Sequence, residues 1–371
     1  MHEHAQPNLV GHERLGDPDL DRALIRDWLL REGVSRRYCR DVGPIALASR
    51  LDTMCDPTVR YVESVQVLTD GFVVRNCPAC GEPTPKGPPE VRSRIPPDTV
   101  SPEEFASAWA SVGRNDCFFD YQRCGSCGLL HNSVYLRPDL MADAYSHMDD
   151  NTAGVPPHLL KATQRRYLAA MEEFAPLESV YLEIGPDIGL AAEIAVERGN
   201  LAQVVFVEPN RASHAALKHV APACNTVVVD SLDELDDAIK ADRLVLIHVL
   251  DHLPQPRKDL ITLRQRMKEG GLMLVVVHNE SSLLRRILGP RWPPFRLQHP
   301  QLFSRQTLPV FLESCGFTVR SLRATTNTLS VRHFVRSGFS ALGSDPDWIS
   351  KVPQIGIRVR LGNILAVAEA T

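Results

Sequence analysis

The sequence predicts an α/β fold: a doubly wound, mostly parallel sheet, preceded by a smaller helical and cysteine-rich module. Three observations predict it. From about residue 157, short apolar runs alternate with helical patterns. The runs "VYLEIG", "QVVFVEP", "TVVVDS", "RLVLIHVL" and "LMLVVVHN" are apolar at successive positions, as strands buried on both faces are. Two CxxC pairs stand upstream of that alternation. Strands and helices in this rhythm build a parallel sheet with helices on both faces.

The elements follow in order. "DLDRALIRDWLLREGV" reads as an amphipathic helix with Leu20, Leu24, Ile25 and Leu29 on one side. "YVESVQVLTDGFVVRN" reads as a hairpin turning at Asp70-Gly71. In "SPEEFASAWASV", Ser101 is a good N-cap, Pro102 fits the first helical position and Glu104 completes a capping box. "HLLKATQRRYLAAMEEF" is a helix. Between the five strands, "GLAAEIAVERG", "RASHAALKHV", "LDELDDAIK" and "PRKDLITLRQRMKEGG" read as helices. "SRQTLPVFLESCGF" adds a helix, and "TVRSLRA" and "GNILAVAEA" two last strands. No internal repeat is visible. The expected division is 1–70, an N-terminal helical and hairpin extension; 71–150, a cysteine module; and 151–371, the α/β domain.

Bulk properties narrow the function. The chain has 371 residues, enough for two or three units. Its net charge of −4 offers no basic field for nucleic acid. No apolar run reaches the roughly 20 residues that span a bilayer. "MHEHAQPNLVGHERLGDPDL" lacks the apolar core of a secretory signal, so a cytoplasmic location is expected. In a reducing compartment the nine cysteines call first for a metal rather than disulfides.

Cys77-Pro-Ala-Cys80-Gly and Cys124-Gly-Ser-Cys127-Gly are two knuckles with 43 residues between them. A CxxC turn puts two thiolates on one ion, and the trailing glycine lets the chain curl around it. Two such turns close a tetrahedral four-thiolate site suited to structural zinc, with no position open for catalysis. Cys39, Cys55, Cys224 and Cys315 are isolated and read as core thiols.

Ligands of open parallel sheets sit beyond the carboxyl ends of the strands. Here those ends are Glu183-Ile-Gly185, Glu208-Pro-Asn, Asp230-Ser231 and His248-Val-Leu-Asp251-His252. An acid at the position of Glu208 can accept both hydroxyls of a ribose. Gly185 and Gly189 permit a tight turn and close backbone approach. Their Gly-x-x-x-Gly spacing departs from the dinucleotide fingerprint, which points to a nucleoside without phosphates.

The order of parts resembles the class I S-adenosylmethionine-dependent methyltransferases, in particular the subgroup with an N-terminal cysteine-rich zinc module. The resemblance runs from "CPACG" and "CGSCGLLHNSVYLRPDLMADAY" through "YLEIGPDIG", "VFVEPN", "LIHVLDHLPQP" and "KEGGLMLVVVHN". It continues through "RRILGPRWPPFRLQHPQLFSRQTLPVFLESCGF" to "GNILAVAEA". "HVLDHLPQP" and "WPPFRLQHPQLFSRQTL" are its more specific pieces. The resemblance implies a Rossmann-like fold, S-adenosylmethionine as cofactor, a structural zinc and a small-molecule acceptor. By position, Glu183, Gly185 and Gly189 would hold the methionine part and Glu208 the ribose. Asp230 would reach the adenine, with Ser231 and Leu232 beside it, and His248 would sit at the cofactor's edge. Asp187 departs from the family, whose loop usually has glycine there. Its side chain could clash with the methionine carboxylate, pair with the ammonium, or point to solvent and favour the helix N-terminus. Because Gly185 and Gly189 flank it, the loop is expected to tolerate it.

A hydroxyl nucleophile needs a base of near-neutral pKa, which points to histidine. The candidates are His252, His278 and His299. His299 is preferred, because its loop "FRLQHPQLFS" is expected to cover the acceptor; His252 is second. Trp292, Pro293, Pro294 and Phe295 would either wall the acceptor pocket or pack that loop onto the sheet. O-methylation of a sugar or secondary metabolite leads, with C-methylation next. A catalytically inactive binding protein of the same fold is the alternative from another class.

Overall fold

The structure is a computed structural model. It describes residues 66–69, 71–110, 116–146, 155–341, 344 and 346–371. The helix expected around Leu24, together with Cys39 and Cys55, lies outside the described residues.

The expected hairpin forms. Strand β1 (Gln66–Thr69) runs antiparallel to β2 (Phe72–Val74), with Thr69 opposite Phe72. Helix α1 (Pro102–Ala110) begins at the expected capping box. The Ser101 amide donates to Glu104 Oε2 at 2.8 Å, and the Glu104 amide donates to Ser101 Oγ at 3.2 Å. Strands β3 (Tyr121–Arg123), β4 (Leu130–Asn132) and β5 (Val134–Leu136) follow, then α2 (Pro138–Ser146). β5 pairs with β2, so the hairpin and the cysteine module share one small sheet.

Helix α3 (Pro157–Glu172) leads into the main sheet. Its parallel strands are β6 (Glu178–Ile184), β7 (Asn200–Val207), β8 (Asn225–Val229), β9 (Ala241–Ile247) and β10 (Met267–His278). Helices α4 (Leu190–Arg198), α5 (Arg211–Leu217) and α6 (Pro256–Gln265) connect them. Beyond β10 come α7 (Leu283–Leu288), β11 (Gln301–Leu302), α8 (Thr307–Glu313) and β12 (Phe317–Ala324). After β13 (Asn327–Ser330), α9 (Val331–Ala341) and β14 (Gly356–Val359), the chain closes with β15 (Asn363–Ala370). The sheet order is β12-β15-β10-β9-β6-β7-β8. β15 alone is reversed, antiparallel to both neighbours. It is a doubly wound α/β sheet, and it reverses direction of growth at β6, whose neighbours are β7 and β9.

Burial follows the strand period of two on both faces. Leu182 and Ile184 of β6 enter one core with Leu244, Leu246, Val275 and Val277. Tyr181 enters the other, with Val204, Phe206, Val245, Leu274 and Val276, under Leu168 and Met171 of α3 and Ile194 of α4. Each fully buried side chain of this size is worth roughly 1.5–3 kcal/mol, so the two layers fix the sheet firmly.

Two expectations need correction, and one open alternative is decided. "LDELDDAIK" is not a helix; it forms one 3-10 turn, Leu232–Glu234. The segment is short and carries acids of poor helix propensity, so it cannot carry the cost of nucleation. The sequence shows no signal for the short strands β3, β4, β5, β11, β13 and β14, because two to four residues carry no measurable period. Of the two readings of the Trp292–Phe295 loop, packing is observed, against the cysteine module. Trp292 and Phe295 are buried against Phe118, Tyr121 and Leu130 of the cysteine module.

The module and the sheet domain are joined through shared structure. β11 extends β4 and β3 into one sheet, with Gln301 opposite His131. Cys77, Ala79, Cys124 and Leu129 belong to the same buried cluster as Leu246, Phe303 and Leu312. Arg75 donates to the Asn132 carbonyl at 2.8 Å and to the Pro254 carbonyl at 3.1 Å. Among the described residues no helix is long and apolar enough to cross a membrane.

Candidate active site

The carboxyl ends of β6, β7, β8, β9 and β10 form the site, and most of the residues expected there are brought together. After β6 the loop turns through Gly185 (φ 61°), Asp187 (φ 56°) and Gly189 (φ 76°). A Cβ on Gly185 would stand 2.8 Å from Val249 Cγ2, and one on Gly189 2.8 Å from Val220 Cγ2, so both positions need glycine for space as well as for φ. Asp187 is a finding that corrects the expectation. The flanking glycines do not carry the turn alone; position 187 is itself left-handed. Aspartate tolerates that region better than most side chains, but glycine occupies it without cost.

Glu183 is buried at the end of β6, and Oε2 accepts from the Tyr181 hydroxyl at 3.0 Å. Burial pushes its carboxyl up to about 8, with Glu208 and Asp187 adding to the effect. Glu208 ends β7, also buried. Its Oε1 accepts from the Asn210 amide at 2.9 Å and its Oε2 from the Asp187 amide at 3.2 Å. Burial pushes this carboxyl up, and those two amides oppose the rise. Each oxygen keeps a further lone pair for a ligand hydroxyl. Asp230, expected at an adenine, is engaged by Arg211, whose Nε lies 2.5 Å from Oδ2. The guanidinium is on the surface, and an exposed pair of this kind is worth little, so a ligand can displace it. Ser231 caps the following 3-10 turn without a side-chain bond.

Four histidines gather beside this edge. His248 follows β9 with φ 55°, and its amide donates to the Val276 carbonyl at 2.8 Å. That bond extends the β9–β10 ladder, in which Ile247 faces Val276, and brings His248 beside His278 at the end of β10. Their rings are 4.7 Å apart, and the His278 ring lies 4.8 Å from that of His299.

Hydrogen-bond logic assigns the tautomers of His299 and His252. His299 Nδ1 is 2.6 Å from the Pro294 carbonyl, which only accepts, so Nδ1 carries the proton. His299 Nε2 then accepts from His252 Nε2 at 3.0 Å. His252 Nδ1 in turn accepts from the Tyr145 hydroxyl of α2 at 2.8 Å. Both nitrogens of both rings are committed. Burial pushes both imidazoles down, His252 to about 4 and His299 well below its ordinary value. The preferred role of His299 as base, with His252 second, therefore needs correction: neither ring has a lone pair to offer at near-neutral pKa.

His278 differs. Its Nδ1 donates to Asp251 Oδ2 at 2.5 Å, and its backbone amide donates to the same oxygen at 3.1 Å. Among the described residues its Nε2 has no hydrogen-bond partner. Asp251 is fully buried. Burial works against its charge, but the neighbouring His278, His299 and His252 overcome it and hold the carboxyl well below the usual carboxylate range. A buried carboxylate behind one ring nitrogen, with the other nitrogen open, is the arrangement that orients a general base. His278 was a candidate in the sequence; Asp251 was read only as a strand end. The acid beside His252 was the available signal, but nothing in the sequence says which histidine it faces.

The cysteines also converge. Cys77 Sγ lies 3.5 Å from Cys127 Sγ, Cys80 Sγ lies 3.5 Å from Cys124 Sγ, and all four sulfurs are within 4.8 Å of one another.

Residues 159–322 match the methyltransferase domain family. Over those residues the chain carries a methyltransferase domain. Solved structures resemble it at low identity. One is the N-methyltransferase NodS of Bradyrhizobium japonicum in complex with S-adenosyl-L-homocysteine. It is 12% identical over 62% of this chain and 97% of that one, with a TM-score of 0.40. Another is the YcgJ protein of Bacillus subtilis, 14% identical over 56% of this chain and 98% of that one, TM-score 0.41. A third is the [4+2]-cyclase SpnF, 14% identical over 56% and 81%, TM-score 0.40. No curated protein matches the sequence of this methyltransferase.

Asp187→Gly separates strain from binding in it. The substitution is expected to raise the melting temperature, because it removes a left-handed aspartate worth about 1 kcal/mol. If the Asp187 carboxylate meets the cofactor's ammonium, affinity falls by about 1.5–3 kcal/mol at the same time. Isothermal titration with S-adenosylmethionine reads the second effect; tighter binding in the variant would identify Asp187 as a relic.

Proposed function

We propose that this methyltransferase methylates a hydroxyl of a small molecule, a sugar or secondary metabolite, with His278 as the base. The observation that carries the reading is the Asp251–His278 pair: Nδ1 is held at 2.5 Å and Nε2 is left open, at the carboxyl edge of the sheet. Bound S-adenosylmethionine supplies an electrophilic methyl group on a sulfonium. The residues present fit that cofactor. Glu208 keeps free lone pairs for two ribose hydroxyls, and Glu183, Gly185, Asp187 and Gly189 line the turn assigned to the methionine part. Asp230 and Ser231 stand where the adenine is assigned, and His248 at its edge. Alignment of the two reactants supplies much of the rate, and His278 takes the hydroxyl proton at Nε2. C-methylation, the runner-up, would use the same base on a carbon acid.

The four cysteines fit a structural zinc, which supports the zinc-module subgroup. Tetrahedral Zn–S bonds of about 2.3 Å put sulfurs just under 4 Å apart, close to the observed contacts. The thiols also share protons poorly without an ion. The Cys77 thiol pushes Cys127 down to about 5, and the same contact pushes Cys77 up. We assign 71–150 as the zinc-binding module and 151–371 as the methyltransferase domain, with the extension before residue 71 of unassigned role. The acidic balance of the chain, −4, argues against a nucleic-acid partner, and free thiols at all the described cysteines suit the cytoplasm.

The test of the cofactor assignment is Glu208→Ala. Two ribose hydroxyls lose their acceptor, so affinity for S-adenosylhomocysteine should fall by on the order of 2 kcal/mol or more by isothermal titration. Unchanged affinity would mean that this edge binds something else.

A further inference from the structure

His248, Asp251 and His278 stand apart from the cysteine cluster, and each offers a ligand atom within 4.8 Å of the others. Two of the atoms in this corner are unspent. Asp251 Oδ1 and His248 Nδ1 are both buried and have no hydrogen-bond partner. Asp251 as a whole is 0% exposed. Buried polar atoms are almost always satisfied, and two orphans on residues of one such cluster ask for a ligand. His248 has little else to hold it: its Nε2 lies 3.4 Å from Asn363 Nδ2, long for a hydrogen bond. The three residues are placed rigidly. Asp251 is anchored by the backbone amide of His278, and His248 by the Val276 carbonyl. Strand ends thus deliver two imidazoles and one carboxylate to one point.

We infer that His248, Asp251 and His278 form a second metal site, for a divalent first-row transition ion. Imidazole with carboxylate suits zinc, iron(II), cobalt and nickel, and not calcium or magnesium, which take oxygen ligands. Three protein ligands leave coordination positions open, unlike the closed four-thiolate site. With an ion in place His278 has no lone pair for an acceptor proton. The loaded and the proton-accepting forms are therefore alternative states of one corner; this consequence rests on the proposed function, whereas the ion site does not.

The experiment uses the full chain with its cysteine site filled by zinc, titrated with cobalt(II). Calorimetry should read one further ion per chain. The new visible absorption should lack the thiolate-to-cobalt charge transfer that a cysteine site gives. His248→Ala should weaken cobalt binding tenfold or more; Asp251→Asn should do the same. His248 is partly exposed, so its variant is the safer one to fold, and a thermal melt checks it. No cobalt beyond the cysteine site, or unchanged affinity in a folded His248→Ala, overturns the inference. The turnover arm follows S-adenosylhomocysteine released with a panel of hydroxyl acceptors. Cobalt should suppress it with the half-saturation seen by calorimetry. Cobalt bound with undiminished turnover overturns the exclusion and points to a failure of the base assignment, while the ion site stands. Turnover that needs His278 in a protein that takes no cobalt removes the ion site and leaves the base.

Discussion

His278→Ala lowers turnover by about a hundredfold or more and leaves affinity for S-adenosylhomocysteine largely intact. The expectation follows from proton bookkeeping. A positioned general base contributes typically 10²–10⁴-fold, and of His252, His278 and His299 only His278 has a nitrogen to give. His299 spends Nδ1 on the Pro294 carbonyl and Nε2 on His252, and His252 spends its other nitrogen on Tyr145. His278 spends one nitrogen on Asp251 and keeps the other. The control is His299→Ala. It leaves the His252 N–H without an acceptor in a buried site, so it should cost stability, about 1–3 kcal/mol, more than it costs the chemical step. Release of S-adenosylhomocysteine over a panel of hydroxyl acceptors, beside thermal melts, reads both. If His299→Ala loses as much turnover as His278→Ala at unchanged stability, the tautomer assignment is wrong. Asp251→Asn adds a second reading, because it reverses the preferred tautomer of His278 while keeping the side chain's shape.

Cys124→Ser releases the zinc and destabilises the whole protein by more than about 4 kcal/mol, a magnitude that loss of a metal site reaches. The size comes from what the site is built into. Cys77 and Cys124 are 1% and 3% exposed and share a core with strands β9 and β10 and helices α6 and α8. Arg257 of α6 donates to the Ala79 carbonyl inside the first knuckle, and to Ser314 Oγ at 2.7 Å. Loss of the ion therefore frees both knuckles and loosens the layer that covers one face of the sheet. Metal analysis should give about one tightly held zinc per wild-type chain and none in the variant. A metal-free protein with a normal melting temperature would sink the assignment.

Much of this was legible without coordinates. The apolar runs from "VYLEIG" to "LMLVVVHN" determine a parallel sheet by themselves, because only strands covered on both faces are apolar at every position. The capping box at Ser101 and the hairpin turn before Phe72 are local, and their signals are local too. The two knuckles announce a shared cluster of thiols by spacing alone, and Glu208 at a strand end announces its carboxylate. What the sequence could not decide was contact between distant segments. The register of β9 against β10 puts His248 beside His278, and that register is set by packing across the sheet, not by either segment. Asp251 faces His278, 27 positions away, and not His252 next to it, because the turn after β9 aims successive side chains apart. Pairing of β11 with β4 seats the Trp292–Phe295 loop in a packed seam, one of the two readings the sequence left open, since a two-residue strand is visible only through its partner. Asp187 is left-handed, a conformation that an aspartate in the sequence does not announce as a glycine would. The sequence by itself thus determined the long strands and helices of the main sheet and the cysteine cluster. Only the tertiary structure chose among the histidines, because a proton's place depends on which acceptor lies within 3 Å, and that is a property of the fold.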